Sequence, residues 1–312
     1  MSSTVPTIRI GTRGSALALA QTQTIANALH AKTGAAIEII TVSTHGDRST
    51  ESLSTIGGTG VFASALREAL INNECDVVVH SLKDLPTDAY PGLSIGAIPK
   101  RADARDALCA SDGLTLDTLA PGARVGTGSP RRAAQLRSRR PDLDVIDIRG
   151  NIDTRLGKIG EGALAAIVLA AAGLDRIGRL DAVTEFLTID GWPTAPGQGA
   201  LALEVRKGDE KLVSSLDHKP TRTIVEAERA VLAILEAGCA APIAAHGFIE
   251  DGLLFLTASV YQPDGASKVT ASHALYVSDA PHPSRDIAER VAAELLAGGA
   301  AELAPLGSVK DN

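Results

Sequence analysis

The sequence predicts an α/β protein: two similar α/β lobes followed by a smaller C-terminal α+β domain. Three observations predict it. Short β-branched apolar runs alternate with helical stretches from residue 7 to residue 176, the signature of a mostly parallel sheet. The pattern begins twice, because Ile10-Gly11-Thr12 and Val125-Gly126-Thr127 lie 115 positions apart and each leads from a strand through a short loop into a helix. From Thr221 the order changes to one helix, three strands and a final helix.

The first lobe opens with the strand "TIRIG". Ser15 caps the helix "ALALAQTQTIANALHAKT" and Gly34 follows its end. "IEIITV" is the next strand, and "FASALREALINNE" is a helix before "CDVVVHS". Val77-Val78-Val79 is a continuous apolar run, as expected of a strand covered on both faces. His80, Ser81, Lys83 and Asp84 follow at once, and Pro86 forbids a regular continuation. In open α/β sheets such a strand exit is where ligands sit. Residues 43–60 are long, polar and glycine-rich, and read as a functional lid.

The second lobe repeats the design. "ARV" is a strand, Ser129 an N-cap, and Pro130 takes the favoured first helical position. "LDVIDIRG" is a strand, "NIDTRLGKIGEG" a short helix, and "AAIVLAAAGLDRIG" a buried strand running into a polar exit. The C-terminal part has the amphipathic helix "TIVEAERAVLAILEAG", closed by Gly238. Three strands follow, with turns at Asp251-Gly252 and Asp264-Gly265, and then the helix "SRDIAERVAAELLAGG".

With 312 residues, 45% hydrophobic but only 3% aromatic, the chain has two or three aliphatic cores. No run approaches the roughly 18 apolar residues of a membrane span, and the first residues lack the apolar region of a secretory signal. Three widely spaced cysteines (Cys75, Cys109, Cys239) make neither a disulfide framework nor a metal knuckle. The expectation is a cytoplasmic protein with reduced thiols.

The net charge of −7 disfavours a general nucleic-acid binder. Yet Arg124–Lys158 holds nine Arg and Lys against four Asp, either solvated helix faces or a site for anions. Neither Gly-Thr loop fits a nucleotide-binding pattern, since Arg131 stands where a third glycine is needed. Each is a tight turn or a helix N-terminus ready for a carboxylate or phosphate. Arg13, Arg131, Arg132, Arg149, Arg155 and Arg176 all fall at strand exits or helix starts, which the topology puts on the rim of a cleft. Guanidinium forks bind carboxylates in bidentate fashion, so six of them call for a ligand with several carboxylates or phosphates. Aromatic stacking residues are missing there, against a nucleic-acid groove. The histidines show no metal-ligand spacing, so no metal is expected, and His80 reads as a satisfied core residue. Cys75 and Cys109 read as buried hydrophobes. Cys239, in "LEAGCAAP", is either another or a reactive, modified thiol.

"HSLKDLPT", "GTGSPRRAAQL", "RGNIDTRL", "LAAAGLDRIG", "APGQGALALE" and "EAERAVLAILEAGCAAPI" together resemble the porphobilinogen deaminase family in order and spacing. The resemblance implies two periplasmic-binding-protein-like lobes and a third domain: residues 1–100 with 198–218, 101–197, and 219–312. It implies that four porphobilinogen molecules condense with loss of ammonia onto a dipyrromethane primer, thioether-linked to Cys239, before hydrolysis frees hydroxymethylbilane. Asp84 is then the catalytic carboxylate and Lys83 its neighbour. Ser81, Lys83, Asp84, Thr127, Ser129, Arg131, Arg132, Gly173, Gln198 and Gly199 match the cofactor site, and Arg13, Ser15, Arg149, Arg155 and Arg176 the substrate site. The chain departs from the family pattern at Thr59, Gly128 and Ala237. A monomer acting on a small molecule, without nucleic acid or membrane, is expected. The competing reading is a two-lobed solute-binding protein for polycarboxylates.

Overall fold

A computed structural model describes residues 7–42, 60–237, 241–304 and 306. Residues 43–59 of the predicted lid, Thr59 among them, and Cys239 lie outside the described residues, and the lid's last residue, Gly60, begins a helix. In chain order the first segment gives β1 (Thr7–Thr12), α1 (Ala16–Thr33), β2 (Ala36–Thr41), α2 (Gly60–Ile71), β3 (Val77–Ser81) and β4 (Leu93–Ala97). Next come β5 (Asp106–Ala110), β6 (Arg124–Gly126), α3 (Pro130–Arg139), β7 (Asp144–Ile146) and α4 (Ile152–Gly160). Then follow β8 (Ala166–Ala170), α5 (Ala171–Arg176), β9 (Glu185–Leu187), β10 (Leu201–Arg206) and α6 (Lys219–Ile234). The chain ends with β11 (Ile243–Glu250), β12 (Leu253–Tyr261), β13 (Lys268–Tyr276), α7 (Pro283–Ala297) and α8 (Ala300–Leu303).

The chain forms two compact units, residues 1–102 with 200–222, and residues 103–199 with 223–312. In the first unit the sheet order is β2-β1-β3-β10-β4. β1 runs parallel to β2 and β3, while β10 is antiparallel to both β3 and β4. Side chains alternate along β3, so Val77 and Val79 pack with Ile25 and Leu29 of α1, whereas Val78 packs with Leu66 and Leu70 of α2. Both faces are covered, which is why the run is apolar throughout. Ser15 caps α1 by accepting from the Ala18 N–H, and Gly34 ends it in the left-handed conformation.

The second unit contains the sheet β7-β6-β8-β5-β9, with β6 parallel to β7 and β8, and β5 antiparallel to β8 and β9. Its connectivity in space copies the first sheet. The antiparallel strand comes last in the first sheet and first in the second, so the sequence alternation alone does not reveal it, and both sheets are mixed rather than mostly parallel. The copy extends to packing. A Cβ on Gly11 would lie 2.8 Å from Cys75 Sγ, and one on Gly126 would lie 2.6 Å from Leu164 Cδ1. In β1 and in its counterpart β6 a neighbouring side chain occupies the place of that Cβ, so a larger residue needs the neighbour to shift.

The same unit also carries the antiparallel meander β11-β12-β13. Its inner face shares a core with α6 and α7, including Val231, Leu254, Leu256, Ile287 and Val291. Asp251 and Gly252 both take positive φ, as a two-residue hairpin turn demands. Two helix boundaries differ from the sequence reading. α6 starts at Lys219, before the expected Thr221, and has ended by Ile234, where Glu236 turns left-handed. β8 stops at Ala170, and Ala171–Arg176 is a helix, so Arg176 sits at a helix end rather than a strand exit.

Candidate active site

In the first unit the parallel pairing of β1 and β3 brings two chain exits to one end of the sheet. After β1 come Arg13, half-buried, and the cap Ser15. After β3 the chain turns at once into a 3-10 turn over Leu82–Asp84. Leu82 and Leu85 are buried and fasten this turn like two pegs. The Leu82 N–H donates to the Ala200 carbonyl at 3.0 Å, just before β10. Ser81 and Lys83 are left half-buried and Asp84 exposed, so its carboxylate sits on a fixed turn but in reach of a ligand.

Beneath the turn lies a second acid. Glu204 of β10 is buried and accepts from Arg67 Nε at 3.0 Å, and it meets His80 Nε2 at the same distance. Burial alone would raise its carboxyl, but the hydrogen bonds from His80 and Arg67 win and hold it below the ordinary range. His80 is thus a satisfied core residue, as expected.

In the second unit β7, β6 and β8 all end at the same side of their sheet, and β5 begins there. Thr127 is buried, and its hydroxyl accepts from the Ser129 N–H at 3.2 Å. Ser129 caps α3, accepting from the Arg132 N–H. Gly128 between them departs from the family pattern for a local reason: a Cβ there would stand 2.6 Å from the Ile148 carbonyl oxygen. Arg149 follows β7, with Asp147 at 3.7 Å. Arg155, on α4, donates through Nε to the Gly150 carbonyl at 2.8 Å. Arg176 donates to the Gly199 carbonyl at 2.7 Å, and burial pushes its pKa down. Gly173, Gln198 and Gly199 are buried.

Arg131 and Arg132 are not on a rim; they are 3% and 6% exposed. Between them lies Asp106, the first residue of β5 and completely buried. It accepts from Arg131 Nη2 at 2.8 Å and from Arg132 Nη2 at 2.6 Å. Gln198 Nε2 reaches the same carboxylate at 2.8 Å, and so does Trp192 Nε1 at 2.8 Å. Burial works to raise the Asp106 carboxyl, but the two guanidiniums overwhelm it and hold the group far below the carboxylate range. Sequence reasoning missed Asp106, Trp192 and Gln135. The available signals were one aspartate heading the apolar strand "DALCA" and the single tryptophan of the chain.

One unit thus offers a mounted carboxylate beside a lysine, and the other a set of guanidinium and hydroxyl donors on its loops and short helices. Guanidinium and hydroxyl donors of this kind suit ligands that carry carboxylates. The family model of the "Porphobilinogen deaminase, dipyromethane cofactor binding domain" matches residues 8–214, and that of the "Porphobilinogen deaminase, C-terminal domain" matches 223–297. The chain belongs to the porphobilinogen deaminase family. It is 62% identical to the porphobilinogen deaminase of Leifsonia xyli subsp. xyli (strain CTCB07), over 97% of this chain and 96% of that one. It is 50% identical to that of Thermobifida fusca (strain YX), over 89% and 88%. Among solved structures, the methionine-binding protein MetQ aligns over 67% of this chain and 88% of its own, at 12% identity and TM-score 0.44.

Proposed function

We propose that the two units divide the labour of the family's reaction between a carboxylate that manages charge and donors that hold anions. The activity is that of a hydroxymethylbilane synthase, a transferase of tetrapyrrole biosynthesis that joins porphobilinogen molecules head to tail with loss of ammonia. Relatives of nearly equal length carry the enzyme's name, so the solute-binding alternative is not favoured.

The family's dipyrromethane cofactor fits the second unit's donors. Its side-chain carboxylates call for cations and hydroxyls, and Thr127, Ser129, Arg131 and Arg132 supply both, with Gln198 fixing Arg132 from behind. Arg131 Nε is buried with no hydrogen-bond partner among the described residues, a donor that suits an anionic group. The cofactor, when bound, supplies a pyrrole whose free α-carbon is nucleophilic. Cys239 is the thiol we assign to its attachment, on the family motif alone.

Asp84 has the central role. As ammonia leaves porphobilinogen, positive charge spreads to the pyrrole nitrogen, and a fixed carboxylate beside it stabilises that cation. The same oxygen takes up and returns the protons that the amine and the ring exchange. Lys83 and Ser81 flank it and orient the incoming ring. Arg13, Ser15, Arg149, Arg155 and Arg176 bind the acetate and propionate groups. The bonds of Arg155 to the Gly150 carbonyl and of Arg176 to the Gly199 carbonyl fix the direction of each fork. The observation carrying this reading is the pegged turn that presents Asp84. We also propose a cytoplasmic monomer without nucleic-acid or membrane partners, a reading that the net charge of −7 favours. No helix among the described residues is long and apolar enough to cross a membrane.

Asp84→Asn keeps the shape and removes the charge. Turnover of porphobilinogen should fall by about a hundredfold or more, while intact mass still exceeds the sequence by two pyrrole units. The same mass excess should be missing from Cys239→Ser. Near-native turnover by Asp84→Asn would remove the assigned role.

A further inference from the structure

The cluster around Asp106 is costlier than a core requires. Two guanidiniums and a carboxylate are buried together, although well-packed apolar residues are often as stable or better in such a place. Stability therefore does not explain it. Its geometry does suggest a purpose. The two oxygens of Asp106 accept from Arg131 Nη2, Trp192 Nε1, Arg132 Nε, Arg132 Nη2 and Gln198 Nε2, all between 2.6 and 3.0 Å. Those bonds use up the acceptor sites of a carboxylate. Each guanidinium is also held from a second side. Arg131 Nη1 donates to Gln135 Oε1 at 2.6 Å and to the Pro193 carbonyl at 3.1 Å, and Arg132 Nη1 donates to the Val168 carbonyl at 3.1 Å. Neither fork can rotate without breaking several bonds. One negative charge against two positive ones leaves the cluster with an excess of one cation, and Arg131 Nε remains unpaired among the described residues.

We propose that Asp106 is a positioning residue for cofactor binding: it fixes the guanidiniums of Arg131 and Arg132 in one orientation before the anionic cofactor arrives. The proposal rests on the reading of those arginines given above. Preorganised donors bind a carboxylate without first having to be ordered. With both of its oxygens taken by protein donors, Asp106 acts through the two arginines. Its negative charge is what lets two like charges stand side by side in a buried place, and its three bonds to them select their direction.

Trp192 gives the experiment an internal reporter, being the only tryptophan of the chain, buried, and bonded to Asp106. The full chain is purified as expressed in three variants: Asp106→Asn, Asp106→Glu and Arg132→Lys. Intact mass gives the share of molecules carrying the two-pyrrole increment. Tryptophan emission and the thermal midpoint report whether the cluster and the fold persist. We expect folded Asp106→Asn to show altered Trp192 emission and a primed share lowered about tenfold or more. Asp106→Glu keeps the charge but displaces it by one methylene, so it should also lose priming while its midpoint falls less. A purely structural aspartate would lower both midpoints yet leave the folded molecules fully primed, and that result overturns the proposal. Should Asp106→Asn not be recovered folded, Asp106→Glu decides alone. Arg132→Lys separates the two layers. If it is fully primed, the reading of the arginines itself fails. If it is unprimed while both Asp106 variants carry the native share, only the positioning role falls.

Discussion

The two five-stranded sheets share one strand order but place their buried acids at different depths. In the first unit the acid on the antiparallel strand is Glu204, paired opposite Val78 and well inside the sheet. Its partners Arg67 and His80 absorb its charge there, and the strand exit is left to an exposed acid, Asp84. In the second unit the acid is Asp106, opposite Ala170 at the very end of β8. It stands where the exit arginines are and pairs with them. A shift of a few residues along one antiparallel strand thus sets whether a strand exit presents a carboxylate or a fixed pair of cations. Duplicated topology supplied two equal frames, and electrostatics made them different.

The sharpest test of that contrast is a pair of alanines. Asp106→Ala leaves two guanidiniums buried without a counter-ion, and should lower stability by about 3–5 kcal/mol. Asp84→Ala removes an exposed group outside any core, and should change stability by no more than about 0.5 kcal/mol. Urea unfolding of both proteins measures the difference directly. Equal losses would mean that the two acids are not the opposites their burial indicates.

Much of the frame was legible because its signals are local. Ser15, Gly34, Ser129 and Pro130 sit where caps and first turns need them, and Val77-Val78-Val79 announced a doubly covered strand. What stayed hidden depends on distance or on ambiguity. β10 and β5 join their sheets antiparallel through pairings that no local period encodes. Asp106 finds its partners 25, 26, 86 and 92 residues away, so no window of sequence contains the cluster. The error at Arg176 has a different source. Ala171-Ala172-Gly173 prolongs the apolar run of β8, and a six-residue helix is too short for periodicity to distinguish it from a strand. Hence the turn carrying Asp84 lies at the strand exit where the sequence puts it, whereas Arg131 and Arg132, read as rim residues, are buried around Asp106.

A smaller effect separates the acids by pH. Glu204 has a folded pKa below its ordinary 4.5, so its ionisation stabilises the native state above that value. This contribution is lost as pH falls from about 4.5 through the lower folded value. Glu204→Gln keeps the shape without the titration. Its stability should lie below native by about 1–3 kcal/mol at pH 7, and the gap should narrow as pH drops below 4.5. Denaturant midpoints from pH 7 to pH 3 measure it, and a gap constant over that range would show that Glu204 titrates alike in both states.

The least change is expected where the units are most alike. Each buries one thiol, Cys75 against Gly11 and Cys109 on β5, at 0% and 1% exposure. Burial pushes both thiols up to about 11. Because only the thiolate attacks an alkylating reagent, both should stay unmodified by iodoacetamide at pH 8 in the native protein and react after denaturation. Peptide mapping reads each position separately. Labelling of Cys75 alone would reveal local opening of β1 from its glycine contact, and labelling of Cys109 alone would reveal the same between β5 and β8. Either would mean that the shared topology does not confer shared rigidity, because the close side-chain packing around Gly11 and Gly126 should exclude reagent from both units equally.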